Sequence, residues 1–300
     1  MLNFLPAFIR ATIAAFLYLI STIFWALATF VLALITYIVP LKSWRQCWQH
    51  HLHSVPDYWN DTNEMITKLT TKVVWDIQGV ENLEPKTWYL LLSNHQSWID
   101  IIVLHIVLKH KIPSLRFFMK RELLWQFPIA SQACLLLGYP FMQRYSKDYL
   151  KKHPELKGKD FENTKKSCEK YKNIPITMTN FVEGHRFTQA RHDKQESPYQ
   201  YLLKPRAAGA AYTLMMMGEY LKTILDVTIV YPKNKNLNLW DFFCGRISPI
   251  IIRVKALPIT KDLLGDYEND RNYKIFFQNW LNQLWQEKDR LIGEIKKHYE

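Results

Sequence analysis

From Ala11 to Val39 the chain carries no charged side chain, an uninterrupted run of 29 residues. As a helix rising about 1.5 Å per residue the run would extend roughly 43 Å. A bilayer hydrocarbon core is about 30 Å thick. Such a segment folds either as one tilted span or as a bent pair of helices dipping into one leaflet. Both readings make it a membrane anchor and leave the rest of the chain to build a core of its own. Trp25 lies within the run, and Trp44 and Trp48 lie just beyond it, where interfacial aromatics belong. Ala26-Leu27-Ala28 resembles a signal-cleavage site, but eleven further uncharged residues follow Ala28, so the run reads as an anchor. Arg10 precedes it, and Lys42 and Arg45 follow it, a bias that puts the downstream domain on the cytoplasmic side.

The expected division is an anchor and interfacial segment over residues 1–60 and one catalytic domain over 61–300. Aromatics at 14% favour a packed globular domain over disorder. There is no G-x-x-x-x-G-K, G-x-G-x-x-G, G-x-S-x-G or H-E-x-x-H pattern, which argues against P-loop, Rossmann, α/β-hydrolase and zincin chemistry. The net charge of +12 suits nucleic acid, an anionic membrane or a phosphate-bearing substrate. The anchor favours the membrane, and the dispersed charge argues against nucleic acid. Cys47, Cys134, Cys168 and Cys244 are scattered and read as free thiols. His50, His51 and His53 lack partners at ligand spacing, so no metal site is expected.

Beyond Thr71 the pattern alternates. Strands are expected at Val73–Ile77, Trp88–Leu92, Arg116–Met119, Phe141–Gln143, Ile176–Val182, Asp226–Tyr231 and Ile250–Val254. A helix is expected at Trp98–Lys109. Phe277, Trp280, Leu281, Leu284, Leu291 and Ile295 form the core-facing stripe of a last helix. The fold class is therefore α/β, a central mixed sheet flanked by helices, with the hydrophobic anchor ahead of it. Residues 147–173 hold nine lysines against five acids and read as a solvated helical hairpin, with a membrane-facing basic patch as the alternative.

The segment Asn94-His95-Gln96-Ser97-Trp98-Ile99-Asp100 begins where the strand Tyr89–Leu92 ends, the place where open α/β sheets carry their sites. If a helix starts near Ser97, with Ser97 as its N-cap, Asp100 lies in the first turn and faces back toward His95. A carboxylate on one imidazole nitrogen fixes the tautomer and leaves the other to accept a proton from an alcohol. No serine or cysteine nucleophile is needed if the acceptor brings its own hydroxyl to an acyl thioester. Arg144 and Arg186 follow two further strands, where two guanidinium groups can converge on a phosphate.

These residues resemble the glycerolipid acyltransferases of the lysophosphatidic acid acyltransferase type. Asn94-His95 with Asp100 looks like their N-H-x-x-x-x-D block. Gly138, Phe141 and Arg144 look like the G-x-x-F-x-x-R block, and Phe181, Glu183, Gly184 and Arg186 like the F-x-E-G-T-R block. Val230 and Pro232 fall where the fourth block belongs. Phe187-Thr188, Leu202 to Arg206, Tyr220 to Asp226 and Gln286 to Asp289 are similar to a branch that includes bacterial membrane enzymes and eukaryotic lysocardiolipin acyltransferases. His185 departs from the pattern, standing where the family usually has Thr.

The resemblance implies catalysis by His95 and Asp100 and glycerophosphate binding by Arg144, Glu183, Gly184 and Arg186. Lys120, with Arg121, is either part of the phosphate site or a basic helix start. Glu183 either touches the acceptor glycerol or pairs with Arg186 and shapes the loop. Leu123 to Leu137 either lines an acyl tunnel or is core. The implied donor is acyl-CoA or acyl carrier protein, with no other cofactor. The implied acceptor is lysophosphatidic acid, giving phosphatidic acid. Lysophosphatidylglycerol and lysocardiolipin are alternatives, and a non-catalytic adaptor for anionic lipid is the reading from another class. The implied location is the bacterial inner membrane, with membrane lipids as partners.

Overall fold

The computed structural model describes residues 2, 4–142, 168–234 and 237–299. The uncharged run becomes one helix, α1 (Ala7–Ile38), and a second helix follows it, α2 (Lys42–Thr70), which packs along it. Residue 60, the expected boundary, falls inside α2. The face of α1 turned inward carries small and polar residues, including Ala11, Ala14, Tyr18, Ser21, Thr29, Ala33 and Thr36. Small side chains let two helices approach closely, and the polar ones find partners across the seam. The Tyr18 hydroxyl shares a hydrogen bond with that of Thr67 (2.6 Å), Trp25 Nε1 donates to Thr62 Oγ1 (3.0 Å), and Trp59 Nε1 donates to Thr22 Oγ1 (3.2 Å). The outward face of α1 is bare hydrocarbon, with Phe8, Phe16, Leu19, Phe24, Leu27, Val31 and Leu34 all exposed. α1 is long and apolar enough to cross a membrane.

The strands are β1 (Trp75–Gln78), β2 (Tyr89–Ser93), β3 (Leu115–Phe117), β4 (Met119–Lys120), β5 (Phe141–Met142), β6 (Thr177–Phe181), β7 (Thr223–Val230) and β8 (Ile250–Pro258). Six of them form one sheet in the order β1-β8-β7-β2-β6-β3. β7, β2, β6 and β3 run parallel, β8 is antiparallel to β7, and β1 is parallel to β8, so the sheet is mixed as expected. The strand expected at Arg116–Met119 is divided: Leu115–Phe117 joins the main sheet, and Met119–Lys120 turns away to pair with Phe141–Met142.

Alternation along the strands fills two layers. Leu90, Leu92, Met178, Ile224, Val230 and Ile251 point to one face, and Tyr89, Leu91, Leu225, Val227, Ile229, Ile250 and Ile252 to the other. The first face is covered by α7 (Ala207–Met217) and α9 (Arg271–Tyr299). The second is covered by α3 (Ile99–Leu108), by the start of α1 and by α8 (Leu239–Phe243). Between β4 and β5 lie α4 (Leu123–Gln126) and α5 (Pro128–Leu136), and α6 (Gln189–Lys194) follows β6. The Leu123–Leu137 stretch is two-sided: Trp125, Phe127, Ile129 and Leu135 are exposed, while Ser131, Ala133 and Leu137 are buried and α5 packs on α1. Most of the expected basic hairpin lies outside the described residues, and its end is a 3-10 turn at Lys170–Asn173.

Candidate active site

The parallel run β7-β2-β6 puts three chain exits side by side. β2 runs into Asn94 and His95, β6 into Val182 and Glu183, and β7 into Tyr231. The register pairs Ser93 with both Phe181 and Val227, so β2 and β6 end level while β7 runs on beside the loop to Val230. The order of the sequence blocks thus becomes neighbourhood in space.

At the end of β2 the ladder is continued by a side chain. Asn94 Nδ2 donates to the Ile229 carbonyl (2.9 Å), and Asn94 Oδ1 accepts the Ile229 N–H (2.9 Å). The buried carboxamide replaces a backbone pair and ties the loop to β7. Gln96 Nε2 donates to the same carbonyl (2.8 Å).

His95 Nδ1 lies 2.8 Å from Asp100 Oδ2. That oxygen also accepts the N–H of Gln96 (2.6 Å) and Ser97 (2.9 Å), and Asp100 Oδ1 accepts the Tyr231 hydroxyl (2.7 Å). Every partner of Asp100 is a donor, so Nδ1 carries the ring proton and Nε2 is left as the basic nitrogen. Burial and the neighbouring Asp100 raise the Tyr231 phenol well above its usual pKa, which keeps it a donor. Asp100 is fully buried, whereas the His95 side chain is 13% exposed and reachable from outside. Its ring stacks on Phe181, with centroids 4.0 Å apart and planes 14° from parallel. Among the described residues none offers a hydroxyl or thiol to Nε2.

α3 begins at Ile99, just after the expected start, with Trp98 at its N-cap. Ser97 Oγ accepts the Ile99 N–H (3.4 Å), a cap-like contact, and also donates to the Leu237 carbonyl (3.1 Å). Asp100, inside the first turn, reaches back to the N–H groups that precede the helix, where a carboxylate also complements the helix dipole.

Glu183 lies beneath the loop, 1% exposed. Its Oε1 accepts the His95 N–H (3.2 Å) and its Oε2 accepts the Leu203 N–H (3.3 Å). Burial pushes its carboxyl up to about 8, opposed by those two N–H donors and by Lys288, and reinforced by Asp100. The next residue, Gly184, turns with φ +72°, and a Cβ there would meet the Arg206 side chain at 3.3 Å. Arg206 is itself pinned, its N–H donating to the Val182 carbonyl (2.7 Å). The Arg186 guanidinium lies over the exposed Trp98 ring, 5.0 Å from its centroid, and His185 is exposed. Lys120 is the last residue of β4, paired in register with Met142. Arg144 lies outside the described residues.

The structure therefore brings together His95, Asp100, Glu183, Gly184 and Arg186. Sequence reading passed over Tyr231, although it stands directly before Pro232, and Phe181 as the platform for His95. It also named Lys288 only as part of a resemblance.

Fold and site define a class: an α/β protein with an oriented imidazole base at the ends of buried parallel strands and, among the described residues, no nucleophile of its own beside it. Residues 75–232, just over half of the chain, match the Acyltransferase family, and the chain belongs to that family. Over 230 residues it is 24% identical to 1-acyl-sn-glycerol-3-phosphate acyltransferase epsilon of Mus musculus, covering 69% of this chain and 57% of that protein. The gamma protein of the same species is 28% identical over 39% of this chain and 31% of its own length. The 2-acyl-1-lysophosphatidylinositol acyltransferase of Saccharomyces cerevisiae is 24% identical over 39% of this chain and 32% of its own. The chain thus spans between about a third and somewhat over half of these relatives. The fold is shared with the crystal structure of a 1-acyl-sn-glycerophosphate (LPA) acyltransferase from Thermotoga maritima, at a TM-score of 0.53 and 15% identity, covering 96% of this chain and 97% of that one.

Proposed function

We propose that this protein transfers a fatty acyl group from a thioester, acyl-CoA or acyl carrier protein, to the free hydroxyl of lysophosphatidic acid. The observation that carries the reading is the 2.8 Å contact of Asp100 with His95 Nδ1, at the end of β2 and within the family match. Nε2 takes the hydroxyl proton as the oxygen attacks the thioester carbonyl. The tetrahedral adduct then collapses, the C–S bond breaks, and the departing thiolate takes the proton back from the imidazolium. Atoms and charge balance without a metal. Arg186 and Arg206, flanking Gly184, hold the acceptor phosphate, together with Arg144 and Lys120.

The bare face of α1 and the exposed Trp125 and Phe127 support a membrane-seated enzyme, working where its poorly soluble acceptor resides. An orientation toward the bacterial cytoplasm belongs to the same proposal, resting on the flanking basic residues. So does the division into an anchor and one catalytic domain.

The test is CoA release from oleoyl-CoA by the purified chain in detergent, with and without lysophosphatidic acid, beside His95→Ala. Acceptor-dependent release that falls about 10³-fold in the variant is expected, within the range of general-base contributions. Release with another lysolipid alone would change the acceptor and keep the chemistry. Silence of the wild type with both donors and a panel of lysolipids would leave the anionic-lipid adaptor.

A further inference from the structure

Helix α9 lies outside the residues matched to the family, yet two adjacent residues of it reach both walls of the His95 loop. Lys288 occupies a core position on its apolar stripe, between Leu284 and Ile292, and is fully buried. Its Nζ donates to the Val227 carbonyl (2.6 Å) and to Thr228 Oγ1 (3.1 Å) and pairs with Asp226 (2.6 Å), all on β7. The next inward steps of that strand are the ones the site uses: Ile229 holds Asn94 and Gln96, and Tyr231 holds Asp100.

Asp289 does the equivalent on the other side. Its two oxygens accept the N–H of Gln200 (2.8 Å) and Tyr201 (2.7 Å). Two residues further on, the Leu203 N–H donates to Glu183, and Glu183 holds the His95 N–H. Apolar residues at both 288 and 226 would fill the same space without the desolvation cost of a buried ion pair, so packing alone does not call for this pair.

We propose that α9 is a positioning element of the active site: Lys288 sets β7 and Asp289 sets the 200–203 loop, and together they hold His95 from opposite sides. The proposal rests on the acyl-transfer reading. It makes Lys288 and Asp289 positioning residues that touch neither substrate nor the reacting atoms. The charged groups facing Glu183 are Asp100 from α3 and Lys288 from α9 itself.

The experiment compares the full chain with Asp289→Ala, Asp289→Asn, Lys288→Met, Glu183→Gln and the double variant Glu183→Gln with Asp289→Ala. Asp289 is only half-buried, so its truncation leaves the core intact. Asp289→Ala is expected to lower kcat about tenfold while KM for donor and acceptor stays within twofold. Asp289→Asn keeps one acceptor oxygen and recovers part of the loss. Lys288→Met shows the same split between kcat and KM. A glutamine cannot bridge both N–H groups, so in the Glu183→Gln background Asp289→Ala should cost threefold or less. Hydrogen exchange should quicken at 94–97 and 200–203 and stay unchanged at 223–226. Wild-type kcat in Asp289→Ala, a full tenfold loss in the Glu183→Gln background, or exchange rising evenly over the chain would overturn the proposal. If the wild type transfers no acyl group, the acyl-transfer reading fails, and the exchange pattern alone decides the positioning role.

Discussion

Asp100 shows how a single carboxylate can serve two purposes. It receives four donors from three directions: the imidazole, two backbone N–H groups and the Tyr231 phenol. A fully satisfied buried anion is rigid, and rigidity is what gives the imidazole one tautomer and one orientation. Glu183 is the counter-case, a buried carboxyl pushed up to about 8. Between its ordinary value near 4.5 and about 8, the folded protein holds a proton there that the unfolded chain releases. Fewer protons bound in the unfolded state make stability fall as pH rises through that window. Glu183→Gln should therefore flatten the decline, measured as Tm in detergent at pH 5, 6.5 and 8. A Tm difference between pH 5 and 8 that is the same in both proteins would contradict the assignment. His105 works in the opposite sense: burial and Arg116 lower it to about 4, so its contribution grows as pH rises from about 4 to 6.5.

At the scale of elements, the site depends on how strands end. Level ends of β2 and β6, with β7 running on beside them, require a fixed register, and the register of the neighbouring strands is held by close backbone approach. Gly79 ends β1 at φ +84°, where a Cβ would lie 1.9 Å from the Val254 carbonyl oxygen of β8. Gly79→Ala combines left-handed strain with overpacking and should destabilise by about 2–4 kcal/mol. Denaturant titration measures this, and activity per folded molecule should hold, because β1 lies two strands from the site. A similar close approach seats α7 on the sheet, where a Cβ at Gly209 would meet the Asn180 carboxamide at 2.4 Å.

At the scale of the molecule, apolar surface is concentrated on one side of the helical pair. The outward face of α1, together with Trp125 of α4 and Phe127 on the α4–α5 link, exposes large apolar side chains, the surface on which the proposed membrane seat rests. In vesicles containing nitroxide-labelled acyl chains, a fluorophore at Phe127→Cys should be quenched and one at Glu294→Cys should not, both in a Cys47→Ser background. Equal quenching at the two positions would remove the α4–α5 link from the membrane face.

Much of this was legible in the chain alone. The uncharged run, the strand–helix alternation and the His95–Asp100 spacing are local patterns, and local patterns report local geometry: a helix of given length, a strand of given face, a carboxylate one turn from an imidazole. The strand ends were read to within a few residues; β8 proved longer than its apolar centre suggested, because its pairing with β7 extends into exposed residues, and β7 began earlier, at the buried Ile224 and Leu225. What the chain could not show was who stands beside whom. Ser97 has the composition of a cap and accepts the Ile99 N–H, but its hydroxyl proton goes to a carbonyl of residue 237 that the local pattern does not reveal. Tyr231 looks like a strand end until β7 is laid against β2 and its phenol meets Asp100. Lys288 reads as one basic residue among many, although its spacing from Leu281, Leu284 and Ile292 places it on the buried stripe. Such roles rest on contacts between residues 60 to 140 positions apart, and only tertiary packing, which removes these groups from water and obliges each to find a partner, decides them.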